Sequence, residues 1–472
     1  MFNGQILKGT LSNLIGIALG ILNNIWLFPL VFSLEELGIY RWVERMSSLI
    51  TVIVLFGIHR TYVRYQSQFS KYDARLFLSN ILFLILFIAV ISGIIFYKYT
   101  NYFSLLFQMK YFEEMSVLGV VITGSIFYTF GLSVSATKNK ISIPFFIKNV
   151  FVRISLIIAA LLLFYNKIFF SEWMWILAYT HLAIGLMVLI YGLYQKKLSL
   201  VRPRLKPLLG RKEFLLFSGS GVVIGILSMS VTTLDSQIIV STIGFEALGI
   251  YSMAYFIGNI VESARRPMSV SLTPAIADYW NKEDYDSLKR IYKNSSKILT
   301  STVVVAAILI IPNLDFLVSI IPDPERFEGL KTLVILVLFS RLIDYLFGAN
   351  SEILSNGPYY IFNVWATCAF ILVMLVLNLL LIPSLGLNGV ALTTVISYLI
   401  YNLLKAIILF KKLHINPFTR THLKIIGIGC ILILLPMSIS NISIIGLCLI
   451  NLMNIIVIIY VYIRLKNELN LI

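Results

Sequence analysis

The stretch LEELGIYRWV at residues 34–43 recurs in altered form as FEALGIYSMA at residues 245–254. Both copies carry a Glu, one further residue and then Leu-Gly-Ile-Tyr, and they lie 211 residues apart. Each copy follows a long apolar run, and about 20 apolar residues suffice to cross a bilayer as a helix. The sequence therefore predicts that one helix–corner–helix unit is written twice, with the Tyr at the membrane interface.

The composition excludes an ordinary soluble protein. Of the 472 residues, 59% are hydrophobic and 13% are charged, whereas soluble domains have about 45–50% apolar and about 25% charged residues. Backbone groups inside lipid must be hydrogen-bonded within the segment, which favours helices. The composition therefore predicts an all-α polytopic membrane protein.

The apolar runs predict about fourteen transmembrane helices, and the last two are separated by a tight hairpin near Asn441. The predicted spans fall roughly at 10–33, 39–60, 76–97, 115–137, 142–164, 173–195, 214–243, 247–272, 297–321, 329–351, 358–382, 387–410, 421–440 and 442–463. No segment between them is long enough for a soluble catalytic domain.

The distribution of cations predicts the orientation of these spans. With the N-terminus in the cytoplasm, 27 Lys and Arg lie on the inner side and five lie on the outer side. Cytoplasmic loops carry an excess of Lys and Arg, so both termini are predicted to be cytoplasmic. Most of the net charge of +16 is then a topology signal, and no nucleic-acid partner is predicted.

The repeated corner also predicts the domain organisation. Six spans separate the two copies, an even number, so both copies have the same orientation, as in parallel repeats related by an axis along the membrane normal. We expect an N-terminal six-helix bundle at 1–195, a basic cytoplasmic linker at 196–213, a C-terminal six-helix bundle at 214–412 and an extra helix pair at 413–472.

Two six-helix bundles, the corners at Leu37 and Leu248, an Asp in span seven and an extra helix pair resemble the multidrug/oligosaccharidyl-lipid/polysaccharide exporter superfamily. Within it, the chain is similar to the bacterial polysaccharide flippases, which move O-antigen or capsule repeat units. The resemblance implies a location in the bacterial inner membrane and a V-shaped pair of bundles that works by alternating access around a central cavity. It also implies that a lipid tail lies along the last two helices.

Charges inside the spans are the candidate site residues, because each costs about 2.5–3.5 kcal/mol on insertion scales. Guanidinium groups bind phosphate in a bidentate manner, so the arginines favour an anionic cargo. Arg41, Glu44 and Arg45 share one helical face of span two, although Arg41 could instead snorkel or pair with Glu44. The predicted cationic cavity consists of Arg41, Arg45, Arg153 and Arg341.

Acids and amides inside the spans are candidates for coupling, for charge pairing or for lining the cavity. By the offset of the repeat, Asn24 corresponds to Asp235, whereas Arg41 corresponds to Ser252. The scaffold is thus duplicated while the polar groups differ. The coupling or pairing candidates are Asp235, Glu44, Glu262 and Asp344, and the polar cavity candidates are Asn23, Asn24 and Asn259. Structural ion pairs remain the alternative, above all between Arg341 and Asp344.

Other residues have simpler expectations. Tyr40, Tyr251 and Trp26 are candidates for contacts with sugars, and Lys148 and Lys405 are expected to snorkel near the inner ends of their spans. The four histidines are scattered and predict no metal site, and no nucleotide-binding loop is present. We therefore expect no cofactor, with coupling to a proton gradient, a sodium gradient or the membrane potential left open.

The sequence predicts a transporter rather than an enzyme. The preferred function is a flippase that moves polyprenyl-pyrophosphate-linked oligosaccharide repeat units to the outer leaflet for lipopolysaccharide or capsule synthesis. Its partners would be this lipid-linked oligosaccharide and membrane lipids, with a polysaccharide polymerase partner left open. Two alternatives remain: a cation-coupled multidrug exporter of the same fold, which favours an acidic cavity, and a membrane-embedded glycan polymerase.

Overall fold

The computed structural model describes residues 15–99, 113–138, 140–195, 201, 210–437 and 452, and these form helices and no strands. The chain begins with α1 (Ile15–Val31), α2 (Leu34–Val54), α3 (Ile58–Tyr65), α4 (Lys71–Lys98), α5 (Glu113–Ala136), α6 (Ser142–Phe164), α7 (Phe170–Gln195) and α8 (Arg211–Thr242). It continues with α9 (Phe245–Val261), α10 (Glu262–Asn281), α11 (Tyr285–Ser319), α12 (Leu330–Leu346), α13 (Asn350–Ser355), α14 (Tyr360–Leu413) and α15 (Arg420–Met437).

Packing divides the chain after Gly249 into a first unit, Met1–Gly249, and a second unit, Ile250–Ile472. The all-helical class predicted from the composition is confirmed for the part of the chain that the structure describes. Most of the linker predicted at 196–213 lies outside the described residues, as does the predicted span at 442–463. The predicted domain boundaries stay a prediction.

The apolar helices are long enough to cross a membrane. By length and composition, six helices in the described ranges could do so, or seven if the bent pair α2–α3 is one span. α14 has 54 residues, and its backbone leaves the helical conformation at Gly386 (φ 55°). This break lies between the predicted spans 358–382 and 387–410. The count of fourteen spans stays a prediction.

Several predicted spans are interrupted. α2 and α3 meet at 55°, because Phe56 and Gly57 adopt positive φ values of 44° and 65°. A 3₁₀ turn at Asn259–Val261 separates α9 from α10 inside the predicted span 247–272. α1 and α6 contain π-helical segments at Leu22–Leu27 and Ile147–Phe151, a feature that is frequent at functional sites.

The charged stretch 277–297 is not the separate surface helix that its pattern favours. α10 ends at Asn281, and α11 begins at Tyr285 and runs on to Ser319. The Asp284 carboxylate accepts a hydrogen bond from the backbone N–H of Ser287 at 2.9 Å and caps this long helix. The charged residues of this stretch therefore lie at the end of α10, at the start of α11 and in the turn between them.

The two repeated corners contact each other within the first unit. A Cβ atom on Gly38 would collide with the backbone carbonyl of Phe245, and one on Gly249 would collide with that of Leu34. Since the repeat offset converts Leu34 to Phe245 and Gly38 to Gly249, the contact is reciprocal, as a two-fold axis requires. Glycine at both places lets the two corners approach at backbone distance.

Glycines also bring α5 and α7 together. A Cβ on Gly124 would collide with the backbone of His181, and one on Gly185 would collide with the backbone of Gly124 itself. Small residues allow such close helix contacts where lipid replaces water. This packing brings Tyr128 of α5 and His181 of α7 to the same internal cavity.

Candidate functional site

Arg41 and Glu44 form an ion pair on the exposed face of α2. The Arg41 Nη1 atom lies 2.9 Å from the Glu44 carboxylate, and its Nη2 atom donates to Asn24 Oδ1 on α1. The Arg41 side chain is 12% exposed and that of Glu44 is 48% exposed. The pairing of Arg41 with Glu44, which the sequence left as an alternative, is therefore present, and Arg41 also connects α2 to the π segment of α1.

Arg153 joins this group from α6. Asn23 donates to the Arg153 carbonyl at 3.2 Å, and the Arg153 guanidinium donates to the Asn149 carbonyl at 2.9 Å. The guanidinium lies against Gly16 and Gly20 of α1, where any side chain would displace it. Arg153 thus contacts Asn23 and Asn149, which lie in the two π segments.

Arg45 faces α8 instead. Its guanidinium donates to the Ser236 hydroxyl, and Trp42 donates to the Gln237 side chain at 2.9 Å. Asp235, the next residue on α8, is 2% exposed. The first unit thus gathers the sequence candidates Arg41, Glu44, Arg45, Arg153, Asn23, Asn24 and Asp235 on neighbouring helices.

In the second unit, Arg341 lies between the side chains of two tyrosines. Arg341 is 4% exposed and donates to the hydroxyls of Tyr398 and Tyr255 at 3.0 and 2.9 Å. Its guanidinium carbon lies 5.2 and 5.4 Å from the centroids of those rings. The intrahelical Arg341–Asp344 pair is absent from the ion pairs of the described residues, because Asp344 pairs with Arg265 of α10.

A buried hydrogen-bond chain surrounds Asp344. Asn402 donates to the Asp344 carboxylate at 3.0 Å, and Asn350 donates to Asn402 at 2.8 Å. Lys405, expected to snorkel, is instead 0% exposed, because its ammonium donates to the Ser351 hydroxyl at 2.8 Å and lies 3.3 Å from the centroid of the Tyr401 ring.

Glu262 and Asn259 lie at the break between α9 and α10. Tyr345 donates to Glu262 at 3.1 Å, and Arg266 approaches the same carboxylate at 3.5 Å. The side-chain amide oxygen of Asn259 (Oδ1) is buried and has no hydrogen-bond partner among the residues that the structure describes. The second unit therefore brings Glu262, Arg341 and Asp344 into one network of charged and phenolic side chains.

Two of the aromatic residues proposed for sugar contacts are buried. Tyr40 is 4% exposed and packs edge-to-face on Phe28 and Trp173, with centroids 5.4 and 5.3 Å apart. Tyr251 is 1% exposed, whereas Trp26 is 45% exposed. The expectation for Tyr40 and Tyr251 is corrected, because tight packing leaves their rings no free face.

Sequence reasoning missed several members of the second network, above all Arg265, Tyr255 and Asn402. Arg265 was counted as a topology cation, since it lies three residues after Glu262 near the predicted end of a span. No sequence signal separates it from Arg266, whose side chain is 80% exposed. The rotation of α10 alone decides which of the two reaches Asp344.

The two arginine groups retain capacity for a further acceptor. The Nε atoms of Arg41 and Arg341 are buried and have no hydrogen-bond partner within the described ranges. Over the same ranges, no group of three or more His, Cys, Asp or Glu side chains could hold a metal ion. These side chains therefore offer charge pairing and free hydrogen-bond donors.

Solved structures show what the fold resembles. "Lipid II flippase MurJ, inward closed conformation" matches with a TM-score of 0.78 and 15% identity, over 98% of this chain and 100% of that one. The chain has the fold of a membrane transporter. An inward-facing multidrug resistance MATE family transporter of the MOP superfamily matches with a TM-score of 0.65 and 13% identity, over 89% and 96% of the two chains.

An outward-facing structure described in the same words matches with a TM-score of 0.59 and 15% identity, over 87% of this chain and 95% of the other. No protein-family profile and no curated protein gives a match. The fold that the resemblance implies is confirmed, and with its apolar helices the chain is a multi-pass membrane protein.

Proposed function

We propose that this chain is a flippase that moves polyprenyl-pyrophosphate-linked oligosaccharide repeat units from the cytoplasmic to the outer leaflet for surface polysaccharide synthesis. The observation that carries the proposal is the arginine group of the first unit, in which Arg41, Arg45 and Arg153 lie on apolar helices beside Glu44 and Asp235. Such a group suits a diphosphate, and the likeness to a lipid II flippase over 98% of the chain supports a lipid-linked cargo.

The proposed mechanism is alternating access by two six-helix halves with fourteen spans, both termini being cytoplasmic. Arg41, Arg45, Arg153 and Arg341 bind the diphosphate, and Asn23, Asn24 and Asn259 provide polar contacts. Asp235, Glu262 and Asp344 are the proposed groups for coupling to protons or sodium ions, and Glu44 holds Arg41 in place. Buried acids beside arginines support this assignment, since an intramembrane ionisable residue is a functional candidate by default.

A cation-coupled multidrug exporter is the second candidate. It is favoured by the likeness to multidrug resistance transporters and by the buried carboxylate of Asp344, which is 2% exposed. The two candidates differ in the charge of their cargo. An exporter of cationic drugs needs an unpaired acid, whereas Asp344 is bound by Arg265 and Asn402, which supports the flippase.

Charge reversal tests the flippase proposal in cells. Arg45→Glu and Arg341→Glu are expected to abolish surface glycan while membrane insertion stays normal, because each places a carboxylate where the diphosphate binds. Lys140→Glu, at an exposed position between α5 and α6, is the matched control and is expected to retain surface glycan. Normal surface glycan in both arginine variants would contradict the proposed cationic site.

A further inference from the structure

The first unit encloses a cavity of about 280 Å³ that none of the site residues described above lines. Its wall is formed by α2, α3, α5, α6, α7 and α8, and the corner at Gly57 contributes as well. Drug-sized ligands occupy pockets of about 300–1,000 Å³. The cavity is therefore at the lower end of this range, and Arg60 and Lys148 at its wall are exposed, so it is open.

The cavity wall is cationic. Arg60 of α3 and Lys148 of α6 line it together with His59 and His181, and none of its 17 described lining residues is Asp or Glu. Hydroxyl groups of Ser48, Thr51, Ser125, Tyr128 and Thr129 complete the polar part of the wall. Apolar side chains form most of the remaining wall, so its two cations and its hydroxyl groups, with no carboxylate among the described lining residues, are suited to an anion.

The bend between α2 and α3 adds further donors. The N-cap of α3 is Gly57, whose left-handed conformation has no side chain that could cap the helix within the described structure. The N-terminus of a helix carries partial positive charge, and its N–H groups favour an anion. The neighbouring His59 Nδ1 atom is buried and has no hydrogen-bond partner in the described part of the chain.

His181 and Lys148 are held in place on the opposite wall. The His181 Nδ1 atom donates to the Leu177 carbonyl at 2.9 Å, so Nε2 is the ring nitrogen left for a ligand. The Lys148 ammonium lies 4.5 Å from the centroid of the Tyr128 ring. Arg60 and Lys148, the two cations of this cavity, are separate from Arg41, Arg45 and Arg153, so the cavity is a second cationic site.

We propose that this cavity binds a phosphate or diphosphate group, with Arg60 and Lys148 as its charged ligands and His59 as a neighbouring donor. The inference rests on the proposed function in one respect: the diphosphate of the lipid-linked cargo is its source. Arg60 and Lys148 lie toward the predicted cytoplasmic ends of their spans. The cavity would then receive the diphosphate first, before Arg41 and Arg45 near the outer end.

Binding to the full-length purified protein in lipid nanodiscs tests the inference. The probes are a polyprenyl diphosphate and inorganic pyrophosphate, which separate a lipid headgroup from a free phosphate. Lys148→Gln and Arg60→Gln are each expected to weaken binding of the lipid probe about tenfold, since a hydrogen bond to a charged group is lost. Lys148→Arg, which keeps the charge, is expected to bind within a few-fold of the wild type.

The matched controls are Lys140→Gln and Arg64→Gln, at exposed positions that do not line the cavity, and both should bind as the wild type does. Wild-type affinity in Lys148→Gln and Arg60→Gln would overturn the cavity site and leave the flippase proposal standing. A wild type that binds pyrophosphate as tightly as the lipid probe would overturn the lipid headgroup as the source. A wild type that binds neither probe would overturn the proposed cargo together with the site.

Discussion

At the scale of single residues, the charged candidates Glu262, Arg341 and Asp344 of the second unit each have a partner on another helix. Arg341 is bound by two tyrosines, and Asp344 is bound by Arg265 and Asn402. A guanidinium between aromatic faces is stabilised without a carboxylate. The second network thus keeps its charges buried through phenol, amide and ion-pair contacts together.

The Arg265–Asp344 pair provides a stability prediction. Asp344 is almost fully buried and Arg265 is 19% exposed, so either charge left alone is poorly solvated. Asp344→Asn and Arg265→Gln are each expected to lower the free energy of unfolding by about 3–5 kcal/mol. The double variant should lose clearly less than the sum of the two, as a double-mutant cycle measures for coupled residues.

Thermal or denaturant unfolding in detergent measures this cycle. Asp278→Asn in the exposed Lys282–Asp278 pair, whose side chains are 65% and 53% exposed, is the control and should change stability little. Additive losses in the double variant of Arg265 and Asp344 would show that the two charges are not coupled.

The sequence could place these charges inside spans but could not assign their partners. Spacing of three residues made Arg341 and Asp344 neighbours on α12, yet each turns to a different helix. Which side chains pair depends on how α10, α12 and α14 rotate and pack against one another. A single sequence does not show this packing. The same limit applies to Lys405, whose burial is set by Ser351 and Tyr401.

At the scale of elements, packing between the two corners gives a reason for the glycine of Leu-Gly-Ile-Tyr in both copies. Each copy supplies the glycine against which the other copy packs, so the motif is needed on both sides of one contact. The conserved spacing within the two copies therefore has a packing reason. The two copies differ three residues after these glycines, where Arg41 in the first copy corresponds to Ser252 in the second.

Alanine at either glycine tests this contact. Gly38→Ala and Gly249→Ala are each expected to destabilise the protein by about 1–3 kcal/mol, because a Cβ would collide with backbone that has little room to move. The two losses should be similar in size, since the contact is reciprocal. Gly427→Ala, at a helical position with nothing within 4 Å, is the control and should leave stability unchanged or raise it.

Thermal unfolding of the three variants gives the comparison directly. A loss in Gly427→Ala as large as in Gly38→Ala, or no loss at either corner, would contradict the reciprocal contact. The sequence predicted the corners from their residues, but it did not predict that they touch. It also missed the bend at Gly57, because the apolar pattern continues through Leu55 and Phe56 without a break.

At the scale of the whole molecule, composition and hydropathy were sufficient to predict the helical class, and the resemblance carried by the repeated corner and the helix pattern implied the fold. That fold is shared with a lipid II flippase at 15% identity, so most side chains can differ while the fold is kept. For the same reason the fold alone does not identify the cargo.

The proposed flipping activity is measured most directly by the leaflet distribution of polyprenyl-linked glycans in a strain that lacks this protein. We expect single repeat units to accumulate on the cytoplasmic leaflet and surface polymer to be absent. The wild-type chain should reverse both effects. Repeat units that reach the outer leaflet without being polymerised would assign the protein to polymerisation instead. Normal surface glycan in the deletion strain would contradict the flippase account and favour drug export.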